Sequence, residues 1–80
     1  MTMPTRMVLL ALDEAGAPTY GYAIAQTTKL VSGTVYPILA RLESRGLVTV
    51  TEETGRHPGR PPRRYYELTD SGRVMAASSA

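Results

Sequence analysis

The sequence contains no cysteine. That excludes disulfides, thiolate nucleophiles and Cys-based metal sites, and fits a cytoplasmic chain. It has no Phe and no Trp; the aromatic content rests on five tyrosines, so any core must be mainly aliphatic. The one histidine, His57, sits among arginines that disfavour its protonation, and no Ser-His-Asp set is suggested. No stretch reaches the ~18 apolar residues that a membrane span needs. The short apolar run at 8–12 lacks a signal-peptide cleavage pattern. There is no metal-ligand spacing, no P-loop and no carboxylate pair in a context that implies a cleft. Enzyme chemistry, a cofactor and a bound metal are therefore not expected.

What is present is enough for one small domain: 80 residues, 42% of them hydrophobic. The net charge is only +2, but its distribution is uneven. Arg56, Arg60, Arg63 and Arg64 cluster between Thr54 and Arg64, where no acid occurs. A basic cluster on one segment of a near-neutral chain points to a local anion site, and nucleic-acid phosphate is the commonest such partner.

Residues 32–45, SGTVYPILARLESR, organise the rest. Val35, Ile38, Leu39 and Leu42 follow at i, i+3, i+4 and i+7, the apolar stripe of a helix. Thr34, Tyr36, Arg41 and Arg45 lie off that stripe. Ser32 is expected to cap the helix, and Gly46 to end it at φ > 0. Pro37 removes one helical hydrogen bond, so an irregular first turn is expected.

Upstream, Pro4 suits a first helical turn, and residues 4–14 read as a helix that is apolar nearly all round. The surplus apolar surface there hints at a dimer contact; cover from the strands and the last helix is the alternative. Residues 16–19 read as a turn. A short helix at 21–28 follows, burying Ile24, Ala25 and part of Tyr22. Its brief link to the helix at 32–45 gives a helix-turn-helix spacing.

After Gly46 the period changes from 3.6 to 2, which predicts strands at 47–52 and 64–68, with Tyr66 and Leu68 inward. The segment between them holds three prolines and two glycines. It is too long for a tight turn and cannot be helix. A long basic loop between antiparallel strands, directly after a helix-turn-helix, is a wing. Thr69 can cap a last helix at 70–78, with Val74 and Met75 as its apolar residues. The fold class expected is α+β: a winged helix-turn-helix with a three-helix core, a two-stranded wing and a short C-terminal helix.

Three runs, GYAIAQ at 21–26, SGTVYPILARLESRGLV at 32–48 and GRPPRRYYELTDSGR at 59–73, resemble the PadR family of winged-helix transcriptional regulators. The resemblance covers nearly the whole chain. It implies DNA recognition by the helix at 32–45 and, usually, repression as a homodimer. It also implies a long C-terminal helix that holds the dimer together. These residues stop short of such a helix, so a homodimer here is expected to use the helix at 4–14 and the stub after Thr69. The sequence names no small-molecule effector.

The expected partner is double-stranded DNA. From the recognition helix, Ser32, Gly33, Thr34, Tyr36, Pro37 and Arg41 are the candidates. Ser32 and Thr34, beside free amides at the helix start, can take a phosphate. Tyr36 suits a phosphate as well. Arg41 can donate two parallel hydrogen bonds to guanine, worth ~1–3 kcal/mol of discrimination. In the wing, Gly59-Arg60-Pro61 resembles the core of an AT-hook, so Arg60 is expected in an A·T-rich minor groove. Arg56, Arg63 and Arg64 are expected on phosphates. The function expected is operator occupancy by a repressor. Two rivals are a small accessory factor that bends or coats DNA and a winged helix that binds protein instead.

Overall fold

A computed structural model describes residues 1–55 and 58–79. Helix α1 spans Met3–Ala15, strand β1 Thr19–Tyr20, α2 Gly21–Thr28 and α3 Ser32–Ser44; β2 (Val48–Glu52), β3 (Arg64–Leu68) and α4 (Asp70–Ser79) follow. The three strands form one antiparallel sheet in the order β1-β3-β2. This is a winged helix: three helices pack on a sheet whose β2–β3 hairpin is the wing. Among the described residues no helix is long and apolar enough to cross a membrane.

The core is aliphatic, as the lack of Phe and Trp requires. Val8, Leu9, Ile24, Val35 and Leu39 are its largest fully enclosed side chains, and Tyr66 is its one buried aromatic. Burying each such aliphatic side chain contributes about 1.5–3 kcal/mol. The stripe Val35, Ile38, Leu39, Leu42 is buried throughout, so the 3.6 period of this segment reports its inner face correctly.

Several expectations need correction. The wing carries a third strand: Thr19 and Tyr20 pair with Tyr66 and Tyr65, where the sequence reads as a turn. A two-residue strand has no periodicity to detect, and its pairing is decided by β3. Ser32 does not cap α3. Val31 holds the cap position without a side-chain hydrogen bond, and its carbonyl accepts from the amides of Thr34 (2.9 Å) and Val35 (3.1 Å). The early start follows from the corner before it. Lys29 adopts φ 66, and Leu30 packs on the core, so the chain has turned before Ser32. α3 then runs unbroken through Pro37, and the expected irregularity reduces to the short Thr34–Val31 bond and one absent donor.

The end of α3 follows the rule for glycine. Gly46 stands at φ 71 and its amide donates to Glu43 O at 3.0 Å, while Leu47 N donates to Leu42 O at 2.9 Å; together these make a Schellman motif. Because the Leu47 amide is used there, β2 starts at Val48 rather than at 47. Thr69 caps α4, accepting from Gly72 N at 3.0 Å, and its hydroxyl also donates to Gly46 O at 2.7 Å. Gly72 lies so close to the Leu47 carbonyl that a Cβ there would overlap it.

α4 buries its small residues, Gly72, Ala76 and Ser79. Val74 and Met75 face outward, against expectation. α1 is covered mostly from within the chain, with Val8, Leu9, Ala11 and Leu12 buried. The large apolar side chains left exposed are Met1, Met3, Val74 and Met75 on the α1 and α4 side and Tyr22, Val31 and Tyr36 elsewhere. Tyr22, expected to be partly buried, is exposed.

Candidate nucleic-acid interface

The outward side of α3 divides into a crest and two flanks. Gly33, Pro37, Ala40 and Ser44, spaced at i, i+4, i+7 and i+11, lie opposite the buried stripe, and all four are exposed. The crest therefore carries only short side chains. Tyr36 and Glu43 stand on the flank beside the wing, and Ser32, at the helix start, lies against α2 and the corner. Thr34, Arg41 and Arg45 stand on the other flank.

On the wing flank, the Tyr36 ring lies over the first residue of α2. A Cβ placed on Gly21 would be 2.5 Å from two of the ring carbons and 2.7 Å from the hydroxyl. Only glycine admits the ring there. Tyr36 remains half exposed, and with Tyr20 and Tyr22 it forms one wall of a cleft of about 600 Å³. The opposite wall comes from the wing: Arg60, Pro61, Pro62, Arg63 and Arg64. Arg63 lies over the Tyr20 ring at 4.2 Å, and Tyr20 meets Tyr65 edge-on at 5.7 Å. This stacking fixes where the Arg63 guanidinium sits. Arg64 reaches Glu43 of α3 at 3.7 Å, an exposed pair of the kind that contributes little.

The wing is ordered by Glu53. Its carboxylate accepts from both terminal nitrogens of Arg60, at 2.6 and 3.1 Å, from the Arg63 amide at 3.1 Å and from the Tyr65 hydroxyl at 3.4 Å. Its own amide donates to Arg63 O at 2.8 Å. Donating to the Glu53 carboxylate raises the Arg60 pKa above its ordinary value. Arg60 is thus engaged at both ends of its fork. A role in the minor groove requires the groove to take the place of Glu53.

The structure brings Tyr36 together with Arg60, Arg63 and Arg64 in one cleft. It does not bring Arg41 or Thr34 to that cleft. Arg41 is exposed on the far flank, and Thr34 is half buried. Ser32, Gly33 and Pro37 are exposed at the start and on the crest of α3. Arg56, and His57 beside it, lie outside the described residues. Tyr20 and Tyr22 were missed as cleft residues. The signal available was the Tyr-Gly-Tyr run at 20–22, in which the glycine makes room for an aromatic neighbour.

Comparison with known proteins adds the following. A family model described as the transcriptional regulator PadR-like family matches residues 8–78. A PadR family transcription regulator from hypervirulent Clostridium difficile R20291 superposes with a TM-score of 0.81 at 27% identity, covering 96% of this chain and 82% of that one. A PadR-like transcription factor from Bacteroides fragilis gives 0.79 at 31% identity, with 95% and 75% covered. The protein smu.1704 from Streptococcus mutans UA159 gives 0.73 at 36% identity, with 94% and 73% covered. No curated protein matches the sequence.

Proposed function

The chain belongs to the PadR-like family of transcriptional regulators, and we propose that it represses by occupying an operator, with α3 in the major groove and the wing on the adjoining backbone. The observation that carries this reading is the shared cleft: Tyr36 from α3 and Arg63 and Arg64 from the wing line one depression. A single sugar-phosphate strand passing between major and minor groove can meet all three. Tyr36 and the two arginines then position the protein, since phosphate contacts set register without reading sequence. Reading falls to the crest of α3, where Gly33 and Pro37 let the helix approach base edges closely. Arg60 enters the neighbouring minor groove when the narrow, electronegative A·T groove replaces the Glu53 carboxylate. Arg56 joins the phosphate contacts of the wing.

The operator is read by a homodimer, its halves about one helical turn apart on a palindrome. The exposed residues Met1 and Met3, before and at the start of α1, and Val74 and Met75 of α4 support a contact between copies on that side. Duplexes selected from random DNA, followed by mass in solution with and without them, test the proposal. A palindromic site bound two to one is the expected result. Absence of any duplex binding at low salt would remove it.

A further inference from the structure

Arg41 and Arg45 are one helical turn apart on the flank of α3 turned away from the wing cleft. Both are exposed. Among the described residues neither guanidinium enters a salt bridge or a side-chain hydrogen bond. They border a depression of about 510 Å³ whose other walls include Thr2 and Thr5 of the α1 start and Met75 of α4. Among the described residues no carboxylate lines it. Glu43, the nearest acid in sequence to both, is on the opposite flank, against Arg64. This is the contrast with the wing: there Arg60 is held by Glu53 and Arg64 leans on Glu43, whereas here two cations face solvent with no acid among the described residues beside them.

We infer that Arg41 and Arg45 bind phosphates of the second DNA strand, across the major groove from the strand held in the wing cleft. The inference rests on α3 lying in that groove. A helix with its side chains is about 10–12 Å across, and the groove is about 12 Å wide, so a seated helix meets both walls. The short side chains of the crest face the floor. The long arginines, roughly a quarter turn round from the crest, face a wall. This makes Arg41 a backbone contact instead of a guanine reader, and adds Arg45 to the interface. α3 is then gripped from both sides, and its depth and tilt in the groove are fixed before any base is read.

The test uses the intact chain and its selected duplex beside an unrelated duplex of equal length, with affinity followed by fluorescence anisotropy over a range of salt. Arg41→Ala and Arg45→Ala should each weaken binding by the same factor on both duplexes. Each should also reduce the slope of log K against log salt by about 0.9. Arg41→Lys and Arg45→Lys should restore most of the loss, because a point charge suffices for phosphate. A loss for Arg41→Ala confined to the selected duplex and unrescued by lysine would overturn the inference in favour of guanine reading. Unchanged affinity and slope in both alanine variants would overturn it outright. If Arg63→Ala still weakens binding in that case, the DNA reading of α3 survives while this flank is excluded. If the unaltered chain binds neither duplex, both fall together.

Discussion

Tyr36 lies across Gly21, ring on backbone, with room for a hydrogen and none for a methyl. The contact sets the position of the α3 side chain that lines the wing cleft. Gly21→Ala must swing the tyrosine aside, and because that ring is half exposed it can move without opening the core. The expected outcome is a melting temperature changed by only a few degrees and a duplex affinity lowered about tenfold. Thermal melting and anisotropy on one sample check both. An unaltered affinity would mean that the placement of Tyr36 is irrelevant to DNA.

Gly33 offers the opposite trade. It sits inside α3 with a negative φ, and a Cβ there meets nothing within 4 Å. Gly33→Ala should stabilise the fold by about 0.5–1 kcal/mol through helix propensity alone. If the crest meets base edges, the same methyl should cost affinity. A more stable protein that binds DNA less well is the expected pair of results; equal binding would show that the crest stands clear of the groove.

Glu53 tests whether order or charge governs the wing. Removing a carboxylate from a DNA-facing hairpin should favour binding if charge alone mattered. Here the carboxylate holds Arg60, the Arg63 amide and Tyr65. Glu53→Ala is expected to weaken duplex binding several-fold although the net charge rises. Arg60→Ala, compared on sites with A·T-rich and G·C-rich flanks, separates bracing from reading. A loss confined to A·T-rich flanks assigns Arg60 to the minor groove, and an equal loss on both leaves it as the brace.

Tyr66 gives a pH dependence. Burial raises the pKa of its phenol above the usual 10.0, so the folded state holds the proton more tightly than the unfolded chain does. The associated stability is complete below about pH 10 and is lost as pH climbs through the raised value, at up to about 1.4 kcal/mol per pH unit. Tyr66→Phe should flatten the alkaline limb of a urea-midpoint-against-pH curve. Curves of equal steepness would assign that limb to other groups.

The sequence displayed most of the frame because most of the frame is periodic. α1, α2, α3, the wing strands and α4 lie within two residues of the expected bounds, each announced by spacing, a glycine stop or a capping threonine. What stayed hidden was fixed by neighbours distant in the chain. Strand β1 exists through its pairing with β3. The α3 cap at Val31 is the local exception, set by the turn at Lys29 and Leu30 just before it. In α4, packing chose Gly72 and Ala76 over the larger Val74 and Met75, since only small residues let that helix approach Leu47. The interface was legible as a list of basic and tyrosine side chains. Its division into two flanks was not, because the partners of Arg60 and the isolation of Arg41 and Arg45 depend on Glu53 and Glu43, whose orientation no local pattern records.

The Thr69 hydroxyl touches the end of one helix and the beginning of another, donating to Gly46 and accepting from Gly72. One side-chain oxygen thus ties the two helix ends together, and Thr69→Val, which keeps the shape and removes both bonds, should loosen them jointly.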